Sequence, residues 1–406
     1  FQRPVSKFGA VSTEQFQLQP RDMRRCAIRK PQLSIMHAST AQTAPENNTI
    51  VVGLSGGVDS SVSAALLVEA GYRVTGLFMK NWEEDDDEAC SAAEDLNDAT
   101  QVAERLGIPL RTVNFATEYW DRVFERFLAE HRAGRTPNPD ILCNREIKFN
   151  EFVAHAETLG ASVVATGHYV RSVARDHYVA LLRGVDHNKD QSYFLHALGQ
   201  DALRTAAFPI GEMHKSEVRE RARSLGLATH DKRDSTGICF IGERPFKEFL
   251  SRYIEHTPGP MVSPEGKPVG QHHGLAFYTL GQRQGLGIGG RQGASQEPWY
   301  VYGKDLDSNT LHVLQGHDHP LLHCVDVWID DTNWISGHAP VEPFVATAKT
   351  RYRQTDQPCQ VIPLSDTTAR LSFVTPQRAV TPGQSAVIYL GEECLGGGVI
   401  TRTERR

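Results

Sequence analysis

Thr49-Ile50-Val51-Val52-Gly53-Leu54-Ser55-Gly56-Gly57-Val58-Asp59-Ser60-Ser61 decides how this chain is read. An apolar run breaks into glycine and serine, and apolar residues return at Val62, Ala65 and Leu66 with helical spacing. The pattern is strand, tight turn, helix start. Gly56 and Gly57 let a ligand approach the backbone, and Ser55, Ser60 and Ser61 offer hydroxyls. The helix N-terminus behind them presents unpaired N–H groups with a partial positive charge. Such a cradle suits an anion, most simply a phosphate. No Lys follows the glycines, so the Walker A pattern is absent. The plain alternative is a glycine turn in an α/β core.

Ser55-Gly56-Gly57-Val58-Asp59-Ser60 resembles the pyrophosphate (PP) loop of the ATP pyrophosphatases, which cleave ATP to AMP and pyrophosphate while adenylating a carbonyl oxygen. Composition leaves room for that reading. A chain of 406 residues exceeds one core and implies two or three domains. Its formal charge of -6 neither supports nor excludes RNA, because attraction depends on where the basic groups lie. Seven cysteines (Cys26, Cys90, Cys143, Cys239, Cys324, Cys359, Cys394) form no CxxC pair and no Cys/His ladder, so no metal module or disulfide framework is indicated. The odd number fits a reducing, cytoplasmic setting. No apolar stretch approaches the roughly 18 residues of a membrane span.

Along the chain, residues 1–45 lack periodicity and carry seven Lys/Arg against two Asp/Glu. They read as a disordered leader, either a basic transit segment or an extension upstream of Met36, with a polar tract up to Asn48 favouring the extension. From Thr49 the order is β-α-β-α: a second strand over Val74–Met79, a helix face of Leu96, Ala99, Ala103 and Leu106, and a strand in 109–116. A stripe of Trp120, Val123, Phe124, Phe127 and Leu128 marks a further helix, and Ala161–Thr166 a buried strand before Gly167-His168-Tyr169. This predicts a doubly wound parallel sheet, which binds ligands beyond the carboxyl ends of its strands. After Met261 helical stripes give way to glycine turns and short alternating segments. Strands are expected at 343–350, 359–364, 369–374, 385–390 and 394–400, making a compact all-β barrel. The expected divisions are 46–245 for the α/β domain, 246–318 for a small central domain and 319–406 for the barrel.

Two cysteines stand out. Cys143 follows Asn138-Pro139-Asp140-Ile141-Leu142 at the start of an expected helix, near Arg145 and Lys148, which would favour a thiolate. Cys239 lies in Ser235-Thr236-Gly237-Ile238-Cys239, between glycines. Taken alone, each also reads as a small buried hydrophobe.

With the loop, these segments resemble the bacterial tRNA-specific 2-thiouridylases. Ser55–Ser60, Asn138–Cys143, Ala165–Tyr169, Lys189-Asp190-Gln191, Ser235–Cys239, Thr279-Leu280-Gly281-Gln282, Arg351-Tyr352-Arg353 and Thr381-Pro382-Gly383-Gln384 occur in the family's order. The resemblance implies that Gly53, Leu54, Ser55, Gly56, Gly57, Val58, Asp59 and Ser60 bind ATP, as Mg-ATP, with Met79 and Gly167 at the adenosine. It implies that Asn138, Pro139 and Asp140 hold the target base, that Cys143 is the nucleophile and that Cys239 carries a persulfide. His168, Lys189, Asp190, Gln191, Arg351, Tyr352 and Gln384 would touch tRNA. The central domain would share in tRNA binding, and a relay protein fed by a cysteine desulfurase would supply sulfur.

The chemistry makes these residue types intelligible. The C2 carbonyl of uridine is a poor electrophile, so adenylating its oxygen provides both activation and a leaving group, and sulfur must then attack. A thiolate or persulfide is the nucleophile suited to neutral pH. Asp140, three residues from Cys143, is the expected acid/base. Lys349, Arg351 and Arg353 alternate, which predicts a basic strand face for RNA phosphates, and the acidic run 83–88 reads as solvated loop. Two rivals are a PP-loop ligase forming amide or C–N bonds on a small molecule, and a non-catalytic RNA-binding protein whose loop senses nucleotide. The ligase reading gives no duty to two cysteines.

Overall fold

Ile50, Val51 and Val52 of β1 (Thr49–Gly53) are all buried, as expected of a strand covered on both faces. Successive side chains point to opposite sides. Ile50 and Val52 pack with Val62 and Leu67 of α1 (Val58–Glu69) and with Val102 of α2 (Cys90–Leu106). Val51 packs on the other side with Tyr119, Phe124, Phe127, Ile147 and Phe152. β1 pairs in parallel with β2 (Arg73–Lys80) and β4 (Val163–Ala165). β3 (Leu110–Asn114) lies beyond β2 and the two-residue β7 (Ala206–Ala207) beyond β4, also in parallel. The five-stranded order β3-β2-β1-β4-β7, with helices on both faces, is the expected doubly wound sheet. The computed structural model describes residues 49–83, 90–234, 246–289 and 297–405. The leader, the acidic run after Glu83 and Cys239 lie outside them.

The helical stripe runs through 116–132, where Val123, Phe124, Phe127 and Leu128 are buried. Trp120 stays partly exposed and stacks on Trp82 with ring centroids 5.9 Å apart. A second long helix, 139–158, covers the same face of the sheet and carries Cys143.

The central module is a four-stranded sheet of β8 (Gly259–Val262), β9 (Pro268–His272), β10 (Trp299–Asp305) and β11 (Thr310–Gln315), ordered β10-β11-β8-β9. Its Met261, Val301, Leu311 and Val313 belong to the same apolar cluster as Val51, Tyr119 and Phe127. One hydrophobic core therefore spans both units. Burial of such side chains, each worth about 1.5–3 kcal/mol, fixes the module against the helical layer.

The barrel consists of β12 (His323–Trp334), β13 (Phe344–Lys349), β14 (Gln357–Pro363), β15 (Ala369–Arg378), β16 (Ser385–Leu390) and β17 (Glu393–Glu404). Pairing of β12 with β17 closes these six strands into a barrel. Sequence patterning finds the five strands after residue 343 and misses β12. Asp326, Asp330 and Asp331 interrupt its apolar alternation, and register shifts occur at Trp328/Ile329 and Asp330/Asn333. Also unforeseen is the hairpin of β5 (Val170–Ala174) and β6 (Val179–Arg183), which leaves the α/β unit and adds to the barrel sheet through Leu181↔Cys394 and Leu182↔Glu393. The basic strand face is not formed. Lys349 ends β13 with its Nζ 3.8 Å from Asp356 and 5.7 Å from the Tyr389 ring centre, while Arg351 lies beyond the strand.

Among the buried histidines, His131 and His196 make stability acid-sensitive. The Nδ1 of His131 lies 3.1 Å from the Ala276 carbonyl and that of His196 2.8 Å from the Tyr193 carbonyl; burial pushes each ring down to about 4. In the unfolded chain histidine titrates near 6.5. The folded-state pKa is thus the lower one, and stability is lost as pH falls from that value towards 4. Urea unfolding at pH 7 and pH 5 should differ by about 2 kcal/mol for each histidine, and His131→Gln should remove its share of that difference. An unchanged pH dependence in the variant would refute the assignment.

Candidate active site

Loop and helix start are built from backbone geometry first. Gly56 has φ +75°, and a Cβ there would stand 2.3 Å from the Asp95 carbonyl oxygen, so conformation and space both demand glycine. Gly57 precedes α1 in extended conformation without a side-chain cap, which leaves the first N–H groups of the helix available to an anion. The serines divide their duties. Ser60 Oγ donates to the Gly57 carbonyl (3.0 Å), accepts from the Ser55 N–H (3.2 Å) and lies 3.2 Å from Ser55 Oγ. Ser61 Oγ donates to the same Gly57 carbonyl at 2.7 Å. Ser60 and Ser61 therefore hold the turn, and Ser55 is exposed at its mouth.

Residues far apart in sequence close around this loop. A Cβ on Gly53 would sit 3.5 Å from Met79 Cε and 3.5 Å from the Phe152 ring. A Cβ on Gly167 would be 2.7 Å from the Ser60 nitrogen. Met79, Gly167 and the helix of Cys143 thus meet at the carboxyl edge of the sheet. Asp59, on the first turn of α1, accepts from Tyr169 Oη at 2.7 Å and from Lys215 Nζ at 2.8 Å on both carboxylate oxygens. Lys215 Nζ also contacts Asp234 at 2.8 Å, and Asp234 is held by Lys189 (2.6 Å) and Arg219 (3.0 Å). Burial opposes charge on Asp234, but the hydrogen bonds from Lys189 and Lys215 outweigh it and bring its carboxyl down to about 2. Burial, and then the Asp59 charge, push the Tyr169 phenol up, so it remains a donor.

The second half of the site is the helix 139–158. Asn138 caps it, its Oδ1 accepting from the Asp140 N–H at 3.1 Å, and Pro139 sits at the first position. Cys143 is fully buried and opens a run of wider π-helical turns reaching Glu151. The Arg145 guanidinium is engaged by carboxylates, 2.8 Å from Glu146 and 3.6 Å from Asp331. The segment leading to Asn138 is gripped by the barrel turn. Thr136 N–H donates to the Pro382 carbonyl at 3.0 Å, and Gln384 Nε2 donates to the Thr136 carbonyl at 2.8 Å.

The residues expected at RNA are differently disposed. Lys189 is partly exposed, although Asp234 takes its ammonium. Asp190 is turned inward: its carboxylate accepts from the N–H groups of Gly184 (3.2 Å) and Ser192 (3.0 Å) and from Ser192 Oγ (2.9 Å), and it is 4% exposed. A buried carboxylate so satisfied would lose these partners on turning outward. Gln191 Oε1 accepts from the Tyr169 N–H at 2.9 Å. His168 is buried beside Phe149, bonded through Nδ1 to Thr166 Oγ1 at 2.8 Å, and burial holds it well below its ordinary pKa, with Lys148 adding to the effect. Arg351 donates to the carbonyls of Leu280 (3.2 Å) and Ala379 (2.5 Å), and the Tyr352 ring packs on Phe194 at 4.4 Å.

The comparisons agree with this architecture. The tRNA methyl transferase HUP domain model matches residues 48–243, the tRNA methyl transferase PRC-barrel domain model 247–315 and the aminomethyltransferase beta-barrel domain model 326–400. A tRNA-specific 2-thiouridylase of Acinetobacter baylyi is 57% identical over 366 residues, covering 87% of this chain and 97% of the relative. The chain belongs to the tRNA-specific 2-thiouridylase family. Similar members come from Psychromonas ingrahamii, 58% identical over 353 residues, and Tolumonas auensis, 59% identical over 353 residues; each alignment covers 86% of this chain and 96% of the relative.

Sequence reasoning missed Lys215, Tyr169 as a side chain, Asp234 and Thr136. No local spacing announces them: Lys215 is 156 residues from Asp59. Lys215 neutralises a carboxylate beside the phosphate cradle. Lys215→Met should weaken ATP binding about ten- to a hundredfold, in line with the roughly 1.5–3 kcal/mol of a charged hydrogen bond, and Asp59→Asn in the same chain should recover part of the loss. Calorimetry giving equal ATP affinity for wild type and Lys215→Met would refute the role.

Proposed function

We propose that this chain is a tRNA 2-thiouridine synthase that uses Mg-ATP to adenylate the C2 oxygen of the anticodon wobble uridine and then delivers sulfur to C2. The observation that carries the reading is the contact of the two halves of the site. Gly53, at the entrance of the phosphate loop, lies against Phe152 on the helix that holds Cys143. The contact supports the reading because it sets the helix of Cys143 beside the phosphate loop, and an activated carbonyl and a sulfur nucleophile have to share one site.

The proposed roles combine the family resemblance with the loop and the helix start described above. The backbone from Gly53 to Ser60 and the open start of α1 would hold the phosphates, with Lys215 balancing Asp59. Asn138, Pro139 and Asp140 would receive the base, which must be unstacked from the anticodon loop at a cost of a few kcal/mol. The uridine oxygen attacks the α-phosphorus and pyrophosphate leaves. The terminal sulfur of a persulfide on Cys239 attacks C2, AMP leaves, and Cys143 attacks the S–S bond so that a Cys143–Cys239 disulfide remains for an external thiol to reduce. Asp140 is the acid/base. Tyr352 and the partly exposed Lys189 and Arg351 would meet the RNA. A sulfur-relay protein fed by a cysteine desulfurase is the proposed donor, and the cytoplasm the proposed setting. Among the described residues no helix is long and apolar enough to cross a membrane. The small-molecule ligase reading leaves Cys143 and Cys239 without a task.

Pyrophosphate release from ATP should depend on tRNA, and nucleoside mass spectrometry should find 2-thiouridine when a sulfur donor is added. A small amine acceptor replacing tRNA would sink the reading. Cys239→Ser should abolish persulfide loading and thiolation. Cys143→Ser should load Cys239 with one sulfur, seen as a mass increment, and not turn over. Full thiolation by Cys239→Ala with the physiological donor would overturn the division of labour.

A further inference from the structure

Two motifs far apart in sequence bond to Thr136, two residues before the helix cap of the Cys143 segment, and a third ties those two together. Its hydroxyl lies 3.1 Å from Thr279 Oγ1 of the central module. Its N–H donates to the Pro382 carbonyl at 3.0 Å, and its own carbonyl accepts from Gln384 Nε2 at 2.8 Å, with the Pro137 carbonyl 3.4 Å from the same nitrogen. Gly383 has φ +93°, and a Cβ there would stand 2.8 Å from the Thr136 nitrogen, so the turn is pressed against the strap. Arg351 ties the turn to the central module by donating to Leu280 and Ala379, and a Cβ on Gly281 would meet Ala379 Cβ at 2.6 Å. Just upstream, Lys304 Nζ donates to the Gly134 carbonyl at 2.9 Å.

We infer that Gln384 is a positioning residue for the Asn138–Cys143 segment, acting through the Thr136 and Pro137 carbonyls, with Thr279 as its counterpart from the central module. The barrel and the central module thereby take part in setting the nucleophile, beyond docking RNA. The inference rests on Cys143 being the nucleophile as proposed above. Asn138 can cap its helix and present Asp140 and Cys143 only if the strap before it is held. Pro137 and Pro139 have no N–H to donate, so the strap depends on the bonds made at Thr136 and on the donation from Gln384 Nε2 to the carbonyls of Thr136 and Pro137.

The test compares Gln384→Leu, which keeps the size and loses the donor, with Thr279→Val, which loses the hydroxyl and leaves the barrel turn intact. Single-turnover thiolation should fall about tenfold or more in both, the scale expected when a reacting group is displaced by a fraction of an ångström. The tRNA dissociation constant should stay within about twofold. In the protein alone, amide exchange across residues 136–143 and iodoacetamide labelling of Cys143 should both rise several-fold. If Gln384→Leu does not fold, Thr279→Val carries the same comparison. Weaker tRNA binding with unchanged exchange, unchanged labelling and an unchanged single-turnover rate would overturn the inference in favour of a direct RNA contact. Thiolation surviving in Cys143→Ser would instead sink the nucleophile reading, while the exchange result for Gln384→Leu would still report on positioning.

Discussion

A parallel sheet ends all its strands on one edge, where backbone groups leave the ladder without partners. Here that edge gathers the phosphate loop after β1, Met79 at the end of β2 and Gly167 after β4. The site depends on how closely these ends approach. A Cβ at Gly56 would meet a carbonyl oxygen at 2.3 Å and one at Gly167 the loop nitrogen of Ser60 at 2.7 Å. Glycine is needed at both because backbone packs on backbone, and no side-chain rearrangement would relieve the collision.

The charge problem at this edge is solved from a distance. A Walker loop carries its own lysine, whereas this loop carries Asp59, whose charge would oppose a polyphosphate. Lys215, from a helix that packs against α1, contacts both oxygens of that carboxylate while only 11% exposed. Its second carboxylate, Asp234, is shared with Lys189 and Arg219. The resulting chain of alternating charges keeps every member paired, which a partly buried network requires. It also links the phosphate loop to the Lys189–Gln191 motif.

Module boundaries along the chain are not mechanical boundaries in the fold. Met261, Val301 and Val313 of the central sheet share a core with Val51 of the first strand. The hairpin β5–β6 leaves the α/β unit to pair with β17, and its Val179 and Leu181 pack against Val387 and Tyr389 of the barrel. The helix of Cys143 is thus framed by elements from the whole described chain, which gives the distant turn at Gln384 mechanical purchase on it.

The sequence by itself determined the doubly wound sheet, because β1 is apolar at consecutive positions and β-α alternation leaves few other solutions. It also determined the loop, whose glycines and serines are local requirements, and the barrel class, from short alternating strands. Only the tertiary structure decided β12 and the β5–β6 hairpin, where aspartates and short strands blur the period that burial would otherwise impose. It decided too that Asp190 faces inward, that Arg351 and Gln384 grip carbonyls, and that Lys215 meets Asp59. Hydrogen bonds across 156 and 248 residues leave no trace in local spacing, since spacing records only which neighbours share a helix or strand face.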